Sequence, residues 1–436
     1  MPILRIRENF STIHHQLSSI TKFEEKWRSK LIDTLGSQTE FVLSCKKLSD
    51  EVNCIYFQKK GESLHLETSY LIGLDYIQDD IPIMIEPKFS YGKNDYSIDF
   101  YKILFESLPY VKSSEIISDL YDVKFDAKPI EIEQKDDFLT PILVIQYLNI
   151  LKKICSYGLQ KGYYLVEQNL NSKVKGKILI KETIKHNHLK ANYSDSYCRY
   201  QEFGINTKEN QFLKYAFQFC LNYLNQFRQL DLFQNIENMV GMIRSSFLVV
   251  DYNEGFRKEM VIRKNPMFPE YESAIRLANM ILKRNAFNIT NTTTNKVRTY
   301  PYWINMSKLF ELHVLKFLRT DYPNGVIYQK SFAGRIPDII LNTESYKAVI
   351  DVKYKNYSNK SLEIEDIRQV AAYSKMKSIY KELGLNKGDE LDSIIIYPKV
   401  QSLNKTKDLL SQKEELRDYF NIYKLEVDIP ILTKTN

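Results

Sequence analysis

Cysteine is scarce in this chain and scattered. The five, Cys45, Cys54, Cys155, Cys198 and Cys220, are odd in number and far apart. That excludes a disulfide framework and a zinc-ligand spacing, and suits a reducing compartment. Long apolar runs are missing as well. No apolar run follows Met1, and no stretch offers roughly 18 uninterrupted apolar residues, so neither secretion nor membrane spanning is expected and the chain reads as cytoplasmic. There is no Gly-x-x-x-x-Gly-Lys-Ser/Thr phosphate loop, which excludes a nucleotide site of that kind. A strong charge of one sign is also lacking: 61 Lys plus Arg against 54 Asp plus Glu leave a formal +7. This excess is compatible with a phosphate-backbone ligand and does not require one.

What is present describes a globular protein of more than one core. At 436 residues, with 44% hydrophobic and 26% charged, two or three domains are expected. The spacing suggests a β-rich domain over 1–140, a mostly helical middle region over 141–300 and an α/β domain over 301–436. In the first, Val52–Phe57, Leu64–Thr68, Tyr70–Leu74 and Ile81–Phe89 read as strands, with a turn at Lys59 to Glu62. Helices are expected over 20–35, 97–107 and 112–121, and a solvated linker over 124–137. In the middle, Pro141–Leu159 has helical apolar periodicity. Lys173, Lys175 and Lys177 begin the densest basic run of this part, either a phosphate-tracking segment or a solvated strand face. Thr207 is a candidate helix cap, and 285–295 reads as a loop.

The stretch that organises the C-terminal part is Ile336 to Lys355. Ile336–Leu341 and Lys347–Lys355 read as two strands with a short connection, hence a hairpin. Asp351 and Lys353 are two apart and share a face of the second strand, and Asp338 can meet them across the hairpin. Two carboxylates beside a lysine form a divalent-metal pocket with a group that positions water, a chemistry suited to phosphodiester hydrolysis. An edge hairpin with ordinary solvated charges is the alternative. Upstream, Met306–Arg319 is an amphipathic helix whose Glu311 could lean toward the pocket and whose His313 reads as a core histidine. Downstream, Leu362–Leu383 reads as one long helix on which Asp366, Gln369 and Tyr373 share a face.

The order Glu311, Asp338, Asp351-Val352-Lys353 and Gln369-x-x-x-Tyr373 resembles the PD-(D/E)XK nuclease superfamily, with the helical element of its RecB-like members. The text around these motifs, Met306–Glu311, Gly334–Asp338, Asp351–Lys355 and Glu365–Gln369, is similar to the McrC family. The likeness extends upstream to Tyr70–Leu74, Ile85–Lys88, Val174–Ile178 and Asn210–Lys214. The resemblance implies the nuclease subunit of a prokaryotic McrBC-type, modification-dependent restriction system. It implies a C-terminal restriction-endonuclease-like mixed sheet flanked by helices, and an N-terminal domain that docks on a hexameric McrB-like AAA+ GTPase and stimulates it. It further implies cleavage of double-stranded DNA, often carrying 5-methylcytosine, and self-association through the partner complex. For the site it implies Mg2+ on Asp338 and Asp351, helped by the Val352 carbonyl and by Glu311. Lys353 would position water, Gln369 and Tyr373 would hold the strand or the site geometry, and Lys355 would contact DNA with Lys173, Lys175 and Lys177. The alternatives are a noncatalytic subunit that binds DNA and stimulates the motor, and a nuclease of DNA repair.

Overall fold

The computed structural model describes residues 3–8, 31, 39–45, 52–60, 63–78, 81–91, 94–107, 110, 119–133, 136–225, 234–253, 255–256, 260–261, 265–286, 296–355, 364–400 and 409–432. All but Leu31 of the helix expected over 20–35 and most of that over 112–121 lie outside them, as does most of the 285–295 loop. The chain is mixed α/β. Its contacts divide it into two units, one made of 1–142 with 291–436 and the other of 143–290. The first and last segments group together.

In the first unit, β1 (Leu4–Arg7), β2 (Leu71–Ile77), β3 (Ile81–Glu86) and β4 (Tyr121–Val123) belong to one sheet. Strands β2 and β3 are nearly continuous buried runs, the pattern of strands covered on both faces. A separate antiparallel sheet joins Glu40–Cys45, Val52–Lys60 and Ser63–Thr68, with Lys60 opposite Ser63 across the expected turn. Helix α1 (Phe100–Ser107) buries Phe100, Ile103 and Leu104, the three-and-four spacing of one helical face. The expected linker over 124–137 instead contains a strand, Ile130–Glu133, paired with Lys296–Thr299. Helix α2 (Leu139–Tyr157) spans the division between units.

The second unit is built on β5 (Gly162–Asn171) and β7 (Asp195–Gly204), antiparallel in unbroken register from Gly162↔Gly204 to Asn171↔Asp195. Between them the short β6 (Lys177–Ile178) pairs with the far edge of β7, and α3 (Ile180–His186) follows it. Sequence reading missed β7, and of Lys173, Lys175 and Lys177 only Lys177 lies on a strand. Helix α4 (Lys208–Leu224) starts at Thr207, whose hydroxyl accepts from the Asn210 N–H. The buried Asn210 side chain donates to the Gln160 and Ile205 carbonyls and accepts from the Tyr271 hydroxyl at 2.6 Å. This ties α4 to α6 (Pro269–Ala286). Helix α5 (Gln234–Ser246) completes the unit.

The first sheet is finished by residues far downstream. Strand β8 (Tyr302–Asn305) lies between β2 and β4, giving the order β1-β3-β2-β8-β4. Trp303 stands opposite Gly73, which has φ +152°, and a Cβ at Gly73 would meet the Tyr302 carbonyl oxygen at 2.1 Å. The Trp303 indole N–H donates to Asp75 Oδ2 at 2.8 Å, which also holds Lys124 at 2.6 Å. Asn305 then caps α7 (Met306–Asp321), its side chain accepting from the Lys308 N–H.

The last segment forms a six-stranded sheet in the order β9-β10-β11-β12-β14-β13, made of β9 (Val326–Tyr328), β10 (Ile339–Asn342), β11 (Lys347–Val352), β12 (Asp392–Lys399), β13 (Glu414–Glu415) and β14 (Ile422–Asp428). β10 and β11 are the expected hairpin, while β11, β12 and β14 run parallel. The single helix expected over 362–383 is two. α8 (Ile364–Tyr373) and α9 (Lys377–Leu383) are separated where Met376 N bonds the Tyr373 carbonyl, and Gly384 at φ +64° ends the second.

Candidate functional site

Strand β11 carries Asp351 at its buried end and passes Lys353 just beyond, where the Lys353 N–H still bonds the Ile396 carbonyl of β12 at 2.8 Å. Asp338 precedes β10. Its Oδ2 accepts the Val352 N–H at 2.8 Å, and its carbonyl accepts the Gln329 N–H at 3.0 Å. The hairpin register therefore fixes both aspartates against one strand end. Lys353 Nζ lies 2.9 Å from Asp351 Oδ2, an ion pair without hydrogen-bond geometry, and donates to Gln369 Oε1 at 2.8 Å. Gln369 Nε2 in turn reaches the Tyr373 hydroxyl at 3.3 Å. Asp351, Lys353, Gln369 and Tyr373 thus form one continuous polar chain from β11 to α8.

Burial governs the charges here. Burial and then Glu311 push Asp338 up to about 7 from 3.8, and burial and then Asp338 do the same to Asp351. Burial alone would depress Lys353, but Asp351 and Asp338 outweigh it and hold the ammonium above its ordinary range. Lys353 is accordingly a cation and a donor. Glu311 is buried and, chiefly for that reason, raised as well. It is already engaged, with Lys308 Nζ at 3.3 Å from both its oxygens and Gln329 Nε2 donating at 2.8 Å. His313 is the expected core histidine, its Nε2 bonded to the Asp428 carbonyl and burial holding it down at about 4.

Asp366 does not share the polar chain of its helix neighbours. It is buried, ion-paired with Lys355 at 3.0 Å and accepting from the Tyr397 hydroxyl at 2.8 Å. Lys355 is therefore committed to a carboxylate. Of the three middle-region lysines, all exposed, Lys175 pairs with Glu202 at 2.8 Å and sits over the Tyr200 ring, while Lys173 and Lys177 point to solvent. Sequence reading missed Lys308, Gln329 and a further support, Glu8. The Tyr354 hydroxyl donates to Glu8 Oε1 at 2.9 Å in the core, and burial raises Glu8 well above the carboxylate range. The three-residue spacing of Lys308 and Glu311 on a helix was a usable signal. Glu8, in a different region of the chain, offered none.

Can this set hold a divalent cation? Among the described residues no group of three or more His, Cys, Asp or Glu side chains is arranged to do so. Two carboxylates are nevertheless available. Asp351 Oδ2 is buried without a hydrogen-bond donor, and both aspartates hold protons more tightly than free ones do, the state that a cation relieves. Two carboxylates, a carbonyl and retained waters suit Mg2+, which dehydrates reluctantly.

The family model of the McrBC 5-methylcytosine restriction system component matches residues 66–398. None of the curated proteins matches the chain. Among solved structures, a Thermococcus gammatolerans assembly of McrB AAA+ hexamers with bound McrC is 12% identical, covering 98% of this chain and 94% of that one with a TM-score of 0.35. The cryo-EM structure of the Thermococcus gammatolerans McrBC complex is also 12% identical, covering 74% and 88% with a TM-score of 0.29. No helix among the described residues is long and apolar enough to cross a membrane.

Proposed function

The chain belongs to the family of McrBC 5-methylcytosine restriction system components, and on that premise we propose that it is the subunit that cuts DNA. The observation that carries this reading is the polar chain Asp351–Lys353–Gln369–Tyr373 with Asp338 locked beside it on the hairpin. We read the six-stranded sheet and its helices as a PD-(D/E)XK domain. Asp338, Asp351 and the Val352 carbonyl would hold Mg2+, with Glu311 behind them, tied to Lys308 and Gln329. The bound ion would polarise the scissile phosphate and lower the pKa of a water. Lys353, a cation fixed by Asp351 and Gln369, holds that water and neutralises charge gathering on the phosphate oxygens. Gln369 and Tyr373 keep the ammonium aimed.

A component implies partners, and a chain without a phosphate loop leaves nucleotide hydrolysis to one of them. We assign an AAA+ motor of the McrB kind to that place, with the N-terminal region as its docking module. Of Lys173, Lys175 and Lys177, the first and last are free to meet DNA. The test is plasmid cleavage by the purified chain with its motor, Mg2+ and GTP or ATP, on methylated and unmethylated DNA. Asp338→Ala or Lys353→Ala should abolish cutting and leave motor stimulation intact. Cutting that survives both substitutions sinks the assignment. One observation favours a noncatalytic DNA-binding subunit, the engagement of Glu311 by Lys308 and Gln329, and on that reading the unsubstituted complex binds methylated plasmid without cutting it.

A further inference from the structure

A cavity of about 850 Å³ opens at the end of the six-stranded sheet where β12 and β14 begin, reaching Ser393 on β12, the strand whose Ile395 and Ile396 pair with Asp351 and Val352. It is walled by the end of α8, by α9 and by the turn before β14. Lys375, Lys377, Lys381 and Lys387 line it, with Asp389 and Glu390 the only acidic residues among its lining. Every other described lysine from 306 to 432 holds a carboxylate or a carbonyl, as Lys330 holds Glu382 and Lys413 holds Asp392. These four hold none among the described residues. Four cations left unneutralised in one recess raise the local concentration of a polyanion.

The recess also offers an aromatic. Phe420 is 95% exposed at its mouth, and the left-handed Asn421, at φ +60°, follows it in the turn. A fully exposed phenylalanine among lysines is a stacking platform for a base, and base stacking beside a cationic track is the physics of single-strand binding. Helix α8 links the recess to the candidate centre. Gln369 and Tyr373, its last residue, are about 6 Å apart at the helical rise, roughly two nucleotide steps of about 3.4 Å, and Lys375 follows in the turn before α9.

We propose that this recess binds an unpaired stretch of DNA strand adjoining the scissile phosphate, with the lysines on its backbone and Phe420 against a base. The inference rests on the nuclease reading only for the identity of the polymer. The test is anisotropy of a short fluorescein-labelled DNA strand and of a duplex of equal length, with the full chain in EDTA and over a range of salt. Phe420→Ala should weaken strand binding roughly tenfold and leave the duplex little changed. Replacing the four lysines by glutamine should lower the slope of log affinity against log salt by about 0.7 for each. Replacing Lys330, Lys399, Lys413 and Lys424 by glutamine, all outside the recess, removes the same four charges and controls for net charge. Unchanged strand affinity in both recess variants overturns the proposal, as does equal loss in the charge control, or a loss confined to the duplex. Because binding is read in EDTA, it stands apart from Asp338→Ala cleavage. Recess variants that bind normally while Asp338→Ala abolishes cutting defeat this inference alone, and cutting that survives Asp338→Ala defeats the nuclease reading alone.

Discussion

Lys308 and Glu311 show what a buried ion pair does in this fold. Both are nearly inaccessible, and each neutralises the other one turn into α7. Lys308→Ala would leave a carboxylate buried beside two others, so unfolding should become easier by about 3 kcal/mol in urea titration. Replacing both by apolar residues of similar size should restore most of it. The aspartate pair supplies a pH dependence. A folded-state pKa near 7 against 3.8 means that the metal-free fold keeps a proton that the unfolded chain releases. Its contribution to stability is complete below 3.8 and is lost as pH rises through 7. The two titrate as a unit, and on the proposed function a cation would take the place of their proton. The rise in Tm on adding Mg2+ should therefore be small well below pH 7 and large well above it. A rise independent of pH would place the ion elsewhere. Because this compares two curves at each pH, the opposite contribution of His313, whose depressed pKa removes stability as pH falls from 6.5 toward 4, cancels.

These residues were legible in unequal measure. Asp338, Asp351 and Lys353 stand on a hairpin whose period-2 pattern fixes their faces, so sequence spacing was enough to bring them together. Gln369 and Tyr373 followed from helical spacing. Asp366 obeys the same spacing yet turns to Lys355 and Tyr397, because one helical face is wide enough to address two different neighbours.

Among the elements, β2 and β8 make the strictest demand on sequence. Gly73→Ala would drive a methyl into the Tyr302 carbonyl, and since that contact is backbone the strands must part. We expect a loss of about 3 kcal/mol, read as a fall in Tm with loss of hydrogen-exchange protection at β8. The chain just beyond β11 is held by the residue that follows β1. Tyr354→Phe leaves Glu8 buried without its donor and should destabilise by about 2 kcal/mol, while Glu8→Gln keeps an acceptor and should cost less. Strands β2 and β3 were readable because buried β-branched runs are distinctive. β8 was not, since a four-residue strand beside a helix start has no period of its own. The break between α8 and α9 was equally silent, for Ser374-Lys375-Met376 contains neither glycine nor proline.

At the scale of the whole molecule, the sequence suggested consecutive segments, whereas the contacts group the two ends of the chain into one unit, with residues 143–290 inserted between them in sequence. Local periodicity reports elements and says little about which distant strand completes a sheet. The consequence for dissection is direct. A fragment ending at residue 300 lacks β8, so β2 and β4 lose their shared neighbour. It should show disordered amide spectra for β2 and β4, and a fragment extended through α7 should recover dispersion.

The late arrival of β8 also orders events on the ribosome. The N-terminal sheet waits, open along the edge of β2, until more than two thirds of the chain has been made, and the strand that closes it runs straight into the helix that begins the last domain. A nascent chain that stalls before Tyr302 leaves that sheet without the strand that joins β2 to β4, and so leaves no finished sheet behind.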